Sequence, residues 1–150
     1  MRIAVVHGPN LNMLGDREPA VYGHTSLAAL DRRTEVLAHE LGAELESFQS
    51  NAEGALIDFI QEAGPRVDGF IVNAAGLTHT SVALLDALLA VGRPYVEVHL
   101  SNPAARERFR RRSLLASHAR GVVQGFGVTS YELGLRGLVD ALRAEPNPRA

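Results

Sequence analysis

Gly69-Phe70-Ile71-Val72 is apolar throughout, and this run together with the two segments after it decides the fold. The loop Asn73-Ala74-Ala75-Gly76-Leu77-Thr78-His79-Thr80-Ser81 comes next. A segment of helical length over 81–91 succeeds it, closed by Gly92 with Pro94 beyond, and a second apolar run occupies 95–98. Strand, helix and strand in this order form one crossover unit, and strands this apolar are buried on both faces of a parallel sheet. The pattern extends in both directions. Residues 3–6 predict a strand, and 26–41 a helix with the stripe Leu27, Leu30, Leu37 and Leu41, capped by Thr25 or Ser26 and ended by Gly42. Residues 43–48 alternate and read as an edge strand; 53–63 predict a helix stopped by Gly64 and Pro65. A fifth strand is expected over 122–128, interrupted by Gly125 and Gly127, then a closing helix over 131–142 and a frayed tail at 145–150.

This alternation predicts the α/β class, with helices covering both faces of the sheet. Five such strands most often take the flavodoxin-like order 2-1-3-4-5, a three-layer sandwich of a five-stranded parallel sheet and two helical layers. The topological switch then lies between strands 1 and 3, where ligands bind outside the carboxyl ends. The loops after strands 1, 3 and 4 should therefore hold the chemistry.

The chain has 150 residues, which argues for one domain, 1–150. It has no Cys, which excludes disulfides and thiolate chemistry. All 15 basic residues are Arg, so a lysine Schiff base or P-loop lysine is excluded. The formal net charge of -2 argues against a nucleic-acid partner. The apolar runs are too short to cross a membrane, and the N-terminal one is too soon interrupted for a signal peptide, so a cytoplasmic protein is expected. No glycine-rich dinucleotide fingerprint follows strand 1, and no cofactor is expected.

The loop after strand 1, from His7 to His24, is far longer than the usual two to six residues, and it carries Asn10, Arg17 and Tyr22. An ordinary surface excursion is the plainer reading; a binding loop is the sharper one. After strand 3, small residues let a ligand approach the backbone, and Thr80 or Ser81 caps the next helix, whose N-terminus favours an anion; simple capping is the alternative. After strand 4, Glu97 and His99 share one strand face. A carboxylate beside an imidazole fixes its tautomer and favours its charged form, which suits a general acid; a structural pair is the alternative. In the basic segment 106–112, one or two Arg could clamp a carboxylate while the rest are solvated. His7, His79 and His99 could approach one another, but their spacing matches no metal motif, and no metal is expected.

Taken together, the loops resemble the type II 3-dehydroquinate dehydratases of the shikimate pathway. The matching segments are Gly8-Pro9-Asn10-Leu11 with Leu14-Gly15, Arg17-Glu18-Pro19 and Val21-Tyr22-Gly23; Gln49-Ser50-Asn51 with Glu53 and Asp58; and Asn73 with Gly76 and Thr78-His79-Thr80-Ser81-Val82-Ala83-Leu84. Glu97-Val98-His99-Leu100-Ser101-Asn102, then Ala105-Arg106-Glu107, Phe109-Arg110 and Ser113, complete them. The match runs through almost the whole chain in order.

The resemblance implies a cofactor-free anti elimination of water from 3-dehydroquinate through an enolate. It implies Tyr22 as the base, Arg17 as its neighbour on the same loop, and His99 oriented by Glu97 as the acid. Asn10 would hold a water at the enolate oxygen. Asn73, His79, the Leu100–Ser101 backbone and Arg110 would bind substrate, with Asp86 reaching a neighbouring subunit's site in a homododecamer, a tetramer of trimers. Four places depart from the usual pattern: His7 for an Asn, Ala74-Ala75 for Pro-Gly, Leu114 for a Tyr, and Ser117-His118. The same reaction serving quinate breakdown, a non-catalytic binding paralogue and a response-regulator-like signalling domain are the competing readings. The last would want acidic residues ending strand 1 and a lysine after the last strand, and neither is present.

Overall fold

The structure is a computed structural model that describes residues 1–16, 18–22 and 24–145; the Tyr22 side chain lies outside that description. Strands β1 (Arg2–His7), β2 (Glu44–Gln49), β3 (Gly69–Asn73), β4 (Tyr95–His99) and β5 (Gly121–Gln124) form one sheet. Its order is β2-β1-β3-β4-β5, and every pairing is parallel. The expected order and the edge position of β2 are therefore observed.

The helices are α1 (Pro19–Tyr22), α2 (Leu27–Glu40), α3 (Glu53–Ala63), α4 (Val82–Val91) and α5 (Thr129–Ala144). Side chains alternate across the sheet with period two, and this splits the core. Ile3, Val5, Ile71, Val96 and Val98 pack with Leu30, Leu37, Tyr131, Leu135 and Leu138 of α2 and α5. Ala4, Val6, Phe70, Val72 and Tyr95 pack on the other face with Leu56, Ile60, Leu84 and Leu88 of α3 and α4. Ser26 caps α2 through the Ala29 amide at 3.2 Å, and Ser81 caps α4 through Leu84 at 2.9 Å. Among the described residues, no helix is long and apolar enough to cross a membrane.

The fifth strand is shorter than expected. Gly125 and Gly127 take φ of 93° and 59°, outside extended backbone, so β5 ends at Gln124. The Gly127 amide bonds back to the Leu100 carbonyl at 2.9 Å, tying this turn to the end of β4. At the other boundary, Arg120 lies 3.1 Å from the Glu145 carboxylate, and residues 146–150 of the expected tail lie outside the described residues.

The switch point is held by a close backbone crossing. The Gly8 amide donates to the Asn73 carbonyl at 2.7 Å, and a Cβ on Gly8 would meet the Ala74 carbonyl oxygen at 2.4 Å. Backbone cannot yield cheaply there, so Gly8→Ala should lower unfolding free energy by about 2 kcal/mol through overpacking. Urea melts of the two proteins measure this; equal midpoints would show that the crossing tolerates a methyl group.

Candidate active site

The crevice lies outside the carboxyl ends of β1, β3 and β4, as the switch-point rule requires. It is a cleft of about 260 Å³. Asn10, Asn73, His79 and His99 line it, with Leu100 and Ser101 at one wall. Arg106 and Arg110 complete it from the basic segment.

Asn10 sits in the left-handed region at φ 70°, opening the 3-10 turn Leu11–Met13. Asn51 fixes it there: its Oδ1 accepts the Asn10 amide at 2.8 Å and the Gln49 Nε2 at 3.2 Å. Gln49 also donates to the Gly8 carbonyl at 3.2 Å. The β2 loop thus braces the β1 loop, a role that the matching Gln49 and Asn51 do not disclose in sequence.

Asn73 ends β3 and pairs in register with His7 of β1. Its Oδ1 accepts the Ala75 amide at 3.1 Å, which fixes the orientation of its side chain. Ala75, one of the departures from the family pattern, takes φ 52°, a conformation suited to the Gly it replaces. His79 Nδ1 donates to the Arg112 carbonyl at 2.7 Å, so a neutral ring turns an accepting Nε2 toward the cleft. Ser81 caps α4 by accepting the Leu84 amide, and from this segment Ala75, Gly76 and His79 line the cleft.

Glu97 lies fully buried beneath His99. His99 Nε2 is 2.6 Å from Glu97 Oε1, and the same oxygen accepts Thr78 Oγ1 at 2.6 Å and Ser113 Oγ at 2.8 Å. Ser113 accepts two backbone amides, from Leu115 and Ala116, so its one proton is directed at Glu97. Burial pushes the Glu97 carboxyl up. The hydrogen bonds from His99 and Thr78, the His99 charge and the bond from Ser113 outweigh it, and the group sits below the ordinary carboxylate range. A carboxylate only accepts, so Nε2 of His99 carries its proton and Nδ1 is the nitrogen left for chemistry. Sequence reasoning does not find Thr78 and Ser113 as contributors: along the chain, one reads as part of a loop before a cap and the other as the end of a basic run.

The two cleft arginines are not isolated charges. Arg110 Nε bonds Glu107 at 2.9 Å, and Arg106 Nε approaches the same carboxylate at 3.9 Å. Its own backbone amide, then Arg110 and Arg106, hold the exposed Glu107 below the usual carboxylate range. Arg108, Arg111 and Arg112 are exposed, as expected for the rest of the run.

Not all the expected residues converge. Asp86 is exposed on α4, away from the cleft lining. Arg17 and the Tyr22 side chain lie outside the described residues. Helix α1, whose last residue is Tyr22, does border the cleft's neighbour: Ala20 and Val21 face a hollow that shares Leu100, Ser101 and Arg106 with it. His7 and His99 belong to opposite sheet faces, and both His7 nitrogens are engaged, Nε2 by Asp31 at 2.8 Å and Nδ1 by the Tyr131 hydroxyl at 2.9 Å. The three histidines therefore do not gather.

The profile of the family described as "Dehydroquinase class II" matches residues 1–139. The 3-dehydroquinate dehydratase of Desulforudis audaxviator is 52% identical over 150 residues, covering 100% of both chains. A 3-dehydroquinate dehydratase of Prochlorococcus marinus is 52% identical over 145 residues, 97% of each chain. The crystal structure of type II dehydroquinase from Propionibacterium acnes superposes with a TM-score of 0.89 at 38% identity, covering 93% of this chain and 96% of that one.

The Glu97 arrangement makes stability depend on pH with a definite sign. The folded pKa lies below the unfolded value of 4.5, so the stabilisation is complete above that value and is lost as pH falls through the lower folded one. Glu97→Gln removes the titration and should lower stability by about 2 kcal/mol at pH 7, with the gap to the parent closing as pH falls below 4.5. Thermal melts of both proteins across this range test it; a gap independent of pH would contradict it.

Proposed function

This chain belongs to the class II dehydroquinase family, and on that premise we propose that its cleft dehydrates 3-dehydroquinate to 3-dehydroshikimate. It acts as a cytoplasmic lyase of the shikimate pathway, with 1–150 as one catalytic domain. The observation that carries this reading is the buried Glu97–His99 pair at the mouth of a cleft lined by Asn10, Asn73, His79 and Arg110. Such a cleft offers one oriented proton carrier, neutral polar groups for hydroxyls and a guanidinium for a carboxylate.

Tyr22, as phenolate, takes the proton alpha to the ketone. The freed electron pair becomes the enolate, supported through a water held by Asn10. The enolate then re-forms the ketone, the new carbon–carbon double bond closes, and the hydroxyl leaves with a proton from His99. Asn73, His79, the Leu100 and Ser101 backbone and Arg110 hold the substrate, and Arg17 stabilises the charge that develops beside Tyr22. No resident cofactor is called for.

A phenol used as a base near neutral pH must lie about three units below its ordinary value near 10, which requires roughly 4 kcal/mol in favour of the phenolate. Arg17 with Arg106 or Arg110 supplies it in a closed site, though Glu107 shares the latter two charges. The chain has 3 tyrosines. Burial, then Glu97, pushes the Tyr95 phenol up to about 12. Burial pushes Tyr131 higher still. Both are unsuited to the base role, which supports Tyr22.

Added 3-dehydroquinate should produce the ultraviolet absorbance of a conjugated enone. Tyr22→Phe should lower kcat by about 10³-fold, within the range of a general base, with substrate still bound. A well-folded parent that makes no enone would overturn the proposed activity, and near-normal turnover by the variant would remove Tyr22 as the base.

Assembly into a homododecamer is part of the same proposal. Asp86 lies between Val82 and Leu89 at helical spacing, and both apolar neighbours are exposed, 58% and 45%. A face like this suits contact with another subunit, which is how Asp86 would reach a second site. Light scattering should report a mass near that of twelve chains, and a monomer that turns over normally would exclude the role for Asp86.

A further inference from the structure

Two hydroxyl groups stand behind the acid and outside the cleft. Glu97 is the one buried carboxylate among the described residues, and His99 is not its sole partner. Its Oε1 accepts His99 Nε2 and Thr78 Oγ1, both at 2.6 Å, and Ser113 Oγ at 2.8 Å. Ser113 Oγ also reaches Oε2 at 2.9 Å. Neither Thr78 nor Ser113 lines the cleft, and the reaction above gives them no part.

The direction of each hydroxyl proton follows from counting. Ser113 Oγ accepts the Leu115 amide at 3.0 Å and the Ala116 amide at 3.1 Å, which uses both its lone pairs. It can accept nothing from Thr78, whose oxygen stands 3.4 Å away. The Thr78 proton therefore goes to Glu97, and the Ser113 proton goes there as well, to its nearest acceptor. His99 thus shares one oxygen with two hydroxyl donors.

A carboxylate bonded elsewhere holds an imidazolium less tightly. Each hydroxyl bond stabilises the negative charge, and it does so most when the ring is neutral and the charge is uncompensated. Loss of a hydroxyl would make the Glu97–His99 pair grip its proton harder. An acid must release that proton: Nδ1 gives it to the departing hydroxyl, which leaves as water with the carbon–oxygen electron pair, and the ring stays neutral with hydrogen on Nε2.

Other groups act on the pair from the surrounding elements. His79, Arg106 and Arg110 share the cleft with His99, and Glu107 lies against the two arginines. The proposed function adds Arg17 and Tyr22. Tyr95, on the same strand face, stays protonated, pushed up to about 12 by burial and then by Glu97. The flanking strands place Val72 and Val122 beside Glu97 and Gln124 beside His99. Leu56, Ile60, Leu84 and Leu88 of α3 and α4 cover this face of the sheet. A change confined to one hydroxyl leaves all of these in place.

We propose that Thr78 and Ser113 are positioning residues for the proton transfer: by sharing Glu97 with His99, they keep the imidazolium acidic enough to protonate the leaving hydroxyl near neutral pH. This rests on the reading of His99 as the acid.

The test uses the full chain and 3-dehydroquinate. Thr78→Val keeps the side-chain shape and removes the hydroxyl. It should move the basic limb of the kcat–pH profile up by about half a unit and lower kcat at pH 7 about threefold, with KM within about twofold. Ser113→Ala should move the limb the same way, and the double variant by about one unit. Thr78→Ser restores the donor and should return the profile to that of the parent. A purely structural role would lower the melting temperature and the active fraction and leave the limb in place. An unmoved or lowered limb in folded Thr78→Val would overturn the proposal, as would a Thr78→Ser protein that behaves like Thr78→Val. If Ser113→Ala fails to fold, Thr78→Val and Thr78→Ser decide. If the parent does not turn over 3-dehydroquinate, the proposed activity fails separately. The sharing is then read from the His99 ring signal in protein labelled with carbon-13 histidine, assigned by its loss in His99→Asn. Its titration midpoint should rise by about the same half unit in Thr78→Val, and an equal midpoint would exclude the sharing.

Discussion

A buried carboxylate holds the chemical end of this molecule together. Glu97 could not remain charged inside the protein unless donors compensated for lost water. They come from three places: Thr78 after β3, Ser113 beyond the basic segment, and His99 two residues along the same strand. Thr78 and Ser113 therefore tie two different loops to β4. The Leu114 amide bonds the Thr78 carbonyl at 2.8 Å, so the backbones of these loops are knitted as well. Removing the charge would loosen the loops that form the cleft wall, and it would leave the imidazole without its orienting partner.

The sheet then sorts the polar groups by face. On β4 the odd-numbered residues Glu97 and His99 turn toward the α3 and α4 side, with Tyr95 below them. On β1 and β3 the odd-numbered His7 and Asn73 turn toward α2 and α5. The two sets meet only at the carboxyl ends, where the strands stop and the cleft begins. The Glu97–His99 pair from one layer and the Asn73 side chain from the other are thereby delivered to one crevice. A parallel sheet does this naturally, because all its strands end on the same side.

The element order, the parallel sheet and the strand sequence are legible because buried strands and capped helices write their period into the chain. Ser26 and Ser81 cap as their positions suggest, and the pairing of Glu97 with His99 follows from a spacing of two. The end of β5 is not legible. Gly125 and Gly127 read as interruptions of a strand, and only the bond from Gly127 to Leu100 shows that they are its terminus.

What the sequence determined by itself was the fold and the kinds of group available: a chain without Lys or Cys, few tyrosines, and an acid beside a histidine on one strand. Only the tertiary structure decided who serves whom. Thr78 and Ser113 stand 35 residues apart and still share one carboxylate, while His7 and Tyr131 meet across 124. Local periodicity records which face a residue takes. It carries no record of the distant partner, because hydrogen bonds in a buried layer are set by how loops and helices stack once the strands have aligned.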